Sequence, residues 1–124
     1  MATNHPTLDL ALFREMGEEL EEDFEPYLEL FLNTLGKRLA SIEKALAADD
    51  GPAICRETHP MKGVTRQVGC SRAGELAETL ENLAKNERLD EGRKLFVELK
   101  SEARQLLQAI REETQLPELN IPSG

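Results

Sequence analysis

The sequence predicts an all-α protein, an antiparallel four-helix bundle with an additional short N-terminal helix. Three observations carry this. Apolar residues recur at helical spacing along nearly the whole chain, the breaks between periodic runs are short, and no β-branched alternating segment competes with them. At 124 residues and 40% apolar content, one domain spanning 1–124 with a single core is expected.

The first helix starts near Asp9 and carries Leu10, Phe13, Met16 and Leu20 on one face. The second is the clearest, since Phe24, Leu28, Phe31, Leu35, Leu39, Ile42 and Leu46 advance in steps of four and three and stay in register. Asp23 is its expected N-cap and Pro26 falls in its first turn. Asp49-Asp50-Gly51-Pro52 ends it and opens a third helix with Pro52 at N1. Ser71 is the expected cap of a fourth helix bearing Leu76, Leu80 and Leu83. Asp90 is the expected cap of a fifth bearing Leu95, Phe96, Leu99, Ala103, Leu106 and Ile110. Residues 1–7 and 115–124 lack periodicity and are expected to be flexible tails.

Charge narrows the function. The chain has a formal net charge of −9, yet residues 52–74 hold Arg56, Lys62, Arg66 and Arg72 against Glu57 alone, a local +3 against −12 elsewhere. So large an excess of carboxylates excludes nucleic acid and anionic membrane as main partners, while a local basic patch can steer one phosphorylated or acidic partner. One Tyr, four Phe and no Trp leave little for stacking on bases. No apolar run approaches the roughly 20 residues of a membrane span, and no leader pattern opens the chain, so a cytoplasmic protein is expected. Cys55 and Cys70 are expected to be reduced thiols.

Within the basic stretch, His59, Lys62 and Gly63 read H-x-x-K-G. At i, i+3 and i+4 they share one helix face, extended by Arg66 at i+7. An imidazole is nucleophilic through nitrogen near neutral pH, a lysine one turn away offsets charge on phosphoryl oxygens, and a glycine leaves room beside the ring. A mid-helix glycine costs roughly 1 kcal/mol against alanine, which the use of that space explains. Cys55 lies four residues before His59, but the only other histidine is His5 and no zinc-binding pattern occurs, so no metal site is expected. No nucleophile triad or phosphate loop points to independent enzymatic activity.

The run Thr58-His59-Pro60-Met61-Lys62-Gly63, followed by Gly69 and by Leu76, Leu80 and Glu81, resembles the histidine-containing phosphotransfer (HPt) domains of multistep two-component phosphorelays. The resemblance covers most of the chain. It implies His59 as phosphoacceptor, Lys62 and Gly63 as its immediate helpers, and Arg66 and Glu81 as further binding residues, Glu81 on the other ring nitrogen. It implies response-regulator receiver domains and a hybrid sensor histidine kinase as partners. The chain itself would be a monomer without a cofactor, any Mg²⁺ being held by the receiver.

Pro60 departs from the usual pattern. It removes an amide from the helical ladder, clashes with the Arg56 carbonyl and disfavours αR geometry at His59. Three arrangements accommodate it: a kink that tilts His59 outward, a domain that has lost transfer and docks a receiver or kinase as a silent adaptor, or a helix that restarts at Pro60 with His59 as N-cap.

Overall fold

The computed structural model describes residues 7–114. Five helices follow one another: α1 (Leu10–Leu20), α2 (Phe24–Ala47), α3 (Gly51–Val68), α4 (Ser71–Lys85) and α5 (Leu89–Glu113), with a 3₁₀ turn (Glu21–Asp23) joining the first two. There is no β-strand among the described residues, and α2–α5 form the four-helix bundle. Of the expected tails, 1–6 and 115–124 lie outside the described residues, as does His5. Thr7 does not behave as a tail residue, because it and Leu8 are buried.

The α2 stripe is as predicted: Leu28, Phe31, Leu35, Leu39, Ile42 and Leu46 are buried, and Phe24 packs at the margin against Phe13. The α4 stripe is not. Its core face is Ala73, Gly74, Ala77, Leu80 and Ala84, while Leu76 and Leu83 are only half-buried. Small side chains let the axes of α3 and α4 approach closely, and this is the most extensive helix pair in the molecule. A Cβ built on Gly74 would stand 2.9 Å from Arg66 Cγ and 3.0 Å from Thr65 Oγ1, so the glycine is a close-approach residue.

Helix boundaries differ from expectation at four caps. Asp23 makes no capping bond, because the 3₁₀ turn runs straight into α2 with Asp23 already in αR geometry. Ser71 and Asp90 are helical residues rather than caps, with Cys70 and Arg88 at the N-cap positions. Asp90 still lies in the first turn, where a carboxylate favours the helix dipole. Asp50 takes the capping role at α3, accepting from Ala53 N at 3.1 Å, so Gly51 comes first and Pro52 second in that helix.

Three helices end alike. At Asp49, Gly69 and Glu87 the chain turns through positive φ, and the next amide reaches back five residues: Asp50 N to Ala45 O, Cys70 N to Thr65 O, Arg88 N to Leu83 O. Gly69 also receives α1, for Asp9 N donates to its carbonyl at 2.8 Å. The reversal at Gly69 joins α3 directly to α4 and sets the two antiparallel.

Pro60 lies inside α3, which is helical without interruption from Gly51 to Val68. A restart at Pro60 with His59 as N-cap is therefore incorrect. The missing amide leaves the Arg56 carbonyl without its helical donor, and Arg56 is solvent-exposed, where water can take that place.

Candidate functional site

His59 stands in the middle of α3 with its side chain 71% exposed. The antiparallel register sets it opposite Glu81 of α4, whose side chain is only 3% exposed. His59 Nδ1 lies 3.0 Å from Glu81 Oε2, and Lys62 Nζ, one turn along, lies 2.7 Å from Glu81 Oε1. Lys85 Nζ, one turn further along α4, lies 3.9 Å from Oε2. One buried carboxylate thus lies beneath a histidine and two lysines.

Burial pushes the Glu81 carboxyl up, but hydrogen bonds from Lys62 and His59 and the charges of Lys62 and Lys85 outweigh it and hold the group below the ordinary carboxylate range. The carboxylate is ionised at neutral pH. Having only acceptor oxygens, it requires Nδ1 to carry the imidazole proton, which leaves the Nε2 lone pair as the free one. The exposed ring is therefore held in the tautomer suited to attack through Nε2.

Gly63 keeps the expected gap. A Cβ built there meets nothing within 4 Å. Arg66 behaves otherwise: its Nη2 is 2.6 Å from Glu78 Oε1, and its stem lies across Gly74. The structure thus gathers His59, Lys62, Gly63 and Glu81 into one site and holds Arg66 on Glu78 at its far edge. The Arg66 hydrogen bond and charge draw the Glu78 carboxyl below its ordinary range.

Glu78 and Lys85 were not singled out in the sequence. Their signal was their spacing, since Glu78, Glu81 and Lys85 follow at helical intervals on one α4 face. A shallow apolar groove was missed too. It runs between α2 and α3, lined by Tyr27, Leu30, Phe31 and Leu35 on one side and Met61 and Val64 on the other. Leu30 is 66% exposed and Val64 is also exposed, so the groove flanks the His59 helix with unpaired apolar surface.

Cys55 is half-buried and Cys70 buried, and no disulfide joins them. Burial and Glu102 push buried Cys70 up to about 12. Among the described residues no group of three or more His, Cys, Asp or Glu side chains could hold a metal ion. No described helix is long and apolar enough to cross a membrane.

The bundle, with an exposed histidine at mid-helix over a buried carboxylate, defines a helical histidine module. The Hpt domain family profile matches residues 26–113, and the chain belongs to that family of histidine phosphotransfer modules. The fold is similar to the crystal structure of histidine-containing phosphotransfer protein B (HptB) from Pseudomonas aeruginosa PAO1. The TM-score is 0.85 at 24% identity, over 90% of this chain and 97% of that one. No curated protein sequence matches the chain.

Proposed function

We propose that this protein carries a phosphoryl group on His59 Nε2, accepting it from a receiver-domain aspartate and passing it to a second response regulator. The observation that carries this reading is the exposed imidazole held through Nδ1 by the buried Glu81 carboxylate. In the accepting step the Nε2 lone pair forms the N–P bond while the P–O bond to the aspartate breaks and the aspartate carboxylate leaves. The ring becomes a phosphoimidazolium that keeps its Nδ1 proton. Glu81 faces that new positive charge from a buried position, much as a carboxylate behind a catalytic histidine does. Reversal of the same step loads the next receiver, so the chain needs no catalytic activity of its own.

The groove beside α3 suits docking, because Leu30 and Val64 offer a partner exposed apolar surface along the helix that carries His59 and Gly63. Phosphoryl transfer demands mainly positioning, which a docked partner supplies. The Mg²⁺ of the reaction belongs to the receiver in this reading, a hybrid sensor kinase supplies the phosphate upstream, and the carrier works as a cytoplasmic monomer. An unbroken α3 across Pro60 favours the carrier over the silent adaptor.

Incubation with a phosphorylated receiver tests the proposal. Acid-labile, base-stable label is expected on the wild type and none on His59→Gln, whose helicity and receiver binding persist. Equal labelling of both, or none on the wild type while the receiver still binds, would replace the carrier by the adaptor.

A further inference from the structure

Lys62 does not wait at the phosphoryl position with a free ammonium group. Its Nζ is 2.7 Å from Glu81 Oε1, and its side chain is 21% exposed. In the resting site one buried carboxylate carries Lys62 on Oε1, with the His59 ring and, at 3.9 Å, Lys85 on Oε2; the ring that attacks through a free Nε2 lone pair is the neutral Nδ1–H form. Phosphorylation changes this balance, since a phosphoryl group brings a charge of about −1.5 to −2 and strong acceptor oxygens. The ring that receives it gains one positive charge at the same moment.

We infer that Lys62 changes partners during transfer, leaving Glu81 Oε1 for the phosphoryl oxygens as the His59 ring turns cationic and takes over neutralisation of Glu81. This deepens the phosphocarrier reading and rests on it. Before transfer Lys62 matches Glu81 and the ring is neutral; afterwards the imidazolium matches Glu81 and Lys62 matches the phosphoryl group. No buried charge is left unpaired at either end, which is the condition that makes moving a cation off a buried carboxylate tolerable. Had the ring stayed neutral, departure of Lys62 would leave Glu81 with only the distant Lys85 at 3.9 Å.

His59 and Lys62 hold the two oxygens of a single carboxylate, so their nitrogens are near neighbours, and the space on the Gly63 side of the ring is open. The lysine stem is flexible and half-buried, with its head at the boundary of water. The hydrogen bond from Nδ1 to Oε2 stays in place throughout. Glu81 is thus a fixed positioning residue, and Lys62 the moving one.

The exchange also gives the pair a role in reversibility. While Lys62 sits on the phosphoryl group, the Glu81 carboxylate, now paired with the imidazolium, holds the Nδ1 proton on the ring. A protonated imidazole leaves as a neutral base when the N–P bond breaks, so the phosphoryl group stays ready for onward transfer.

The test uses the full chain and phosphoramidate, a small phosphodonor that needs no receiver. Lysine ammonium ¹⁵N spectra are recorded before and after loading, with the Lys62 signal identified by its loss in Lys62→Arg. The expected result is scalar coupling from Lys62 ¹⁵Nζ to the Glu81 carboxyl carbon in the unloaded protein, replaced by coupling to ³¹P in the loaded protein. Loaded protein in which Lys62 stays coupled to Glu81, or is coupled to neither group, overturns the exchange and leaves the carrier reading intact. Failure of phosphoramidate and of a phosphorylated receiver to load His59 overturns both together.

Discussion

Two lysine–glutamate pairs tie helices of this bundle together, and they are built with opposite polarity. On the α2–α5 side, Lys100 is the buried member at 7% exposure, its Nζ 3.1 Å from a Glu43 that is 55% exposed, with the ammonium 5.0 Å from the Phe96 ring. On the α3–α4 side the carboxylate is buried, Glu81 at 3%, and Lys62 at 21% reaches it from the surface. A buried cation with a solvated partner and an aromatic neighbour is a packing device: its stem fills the seam and the ring face supplements the ion pair. A buried carboxylate beneath surface cations is an anchor, with fixed acceptors onto which surface groups are hung in a set geometry. The first holds helices together; the second holds a histidine.

Substituting the carboxylates sharpens this contrast most. Glu81→Gln keeps the shape but removes the charge facing the ring, and phosphotransfer should fall about ten- to a hundred-fold, the usual scale for losing a group that orients and charges a catalytic partner. Glu43→Gln should leave the transfer rate within a factor of two or so, because its carboxylate lies largely in water. Parallel stopped-flow transfer assays check both, and equal losses would erase the distinction.

The pH dependence follows from the depressed Glu81 carboxyl. A carboxyl whose folded pKa lies below the unfolded value of about 4.3 contributes stability that is present above that value and lost as pH falls through the folded pKa. The melting-temperature advantage of wild type over Glu81→Gln should therefore be constant near neutral pH and shrink below about pH 4. An advantage that grew in acid would have the wrong sign.

The helix glycines offer a smaller contrast in stability. Gly63→Ala enters open space and should gain up to about 1 kcal/mol, while Gly74→Ala presses on Thr65 and Arg66 and should lose roughly 1–3 kcal/mol. Gly63→Leu should keep its fold yet block transfer, a dissociation that calorimetry and the transfer assay read together. Pro60→Ala restores one amide to α3 and should stabilise by up to ~3 kcal/mol where the packing tolerates a straighter helix. A transfer rate that moves with it would show that the ring also orients His59.

How far the molecule was legible in its sequence differs between these same regions. The α2 stripe was plain because large apolar residues at steps of four and three have no other use. The α4 face was misread toward leucines because alanine and glycine carry little hydrophobic signal, although their smallness is what brings α3 and α4 together. His59, Lys62 and Gly63 were visible as a local spacing on one helix. Glu81 was the weakest of the candidates, since a lone glutamate in an acidic helix looks like a solvated surface residue. Its burial depends on the register between two helices, which no spacing within one helix reveals. The caps at Asp23, Ser71 and Asp90 failed for a related reason: a 3₁₀ turn takes in Asp23, and the reversals at Gly69 and Glu87 let the next helices begin at Ser71 and Leu89, so that Ser71 and Asp90 are already helical.

The central claim is that Glu81 fixes the tautomer of His59 so that Nε2 is the nucleophile. A long-range ¹H–¹⁵N correlation spectrum of the imidazole at neutral pH, taken before and after phosphoramidate loading, reads this directly. The account predicts Nδ1 protonated in the resting ring, phosphorus attached to Nε2 in the loaded ring, and loss of the Nδ1–H preference in Glu81→Gln. A resting ring protonated at Nε2, or phosphorus bound at Nδ1, would contradict it.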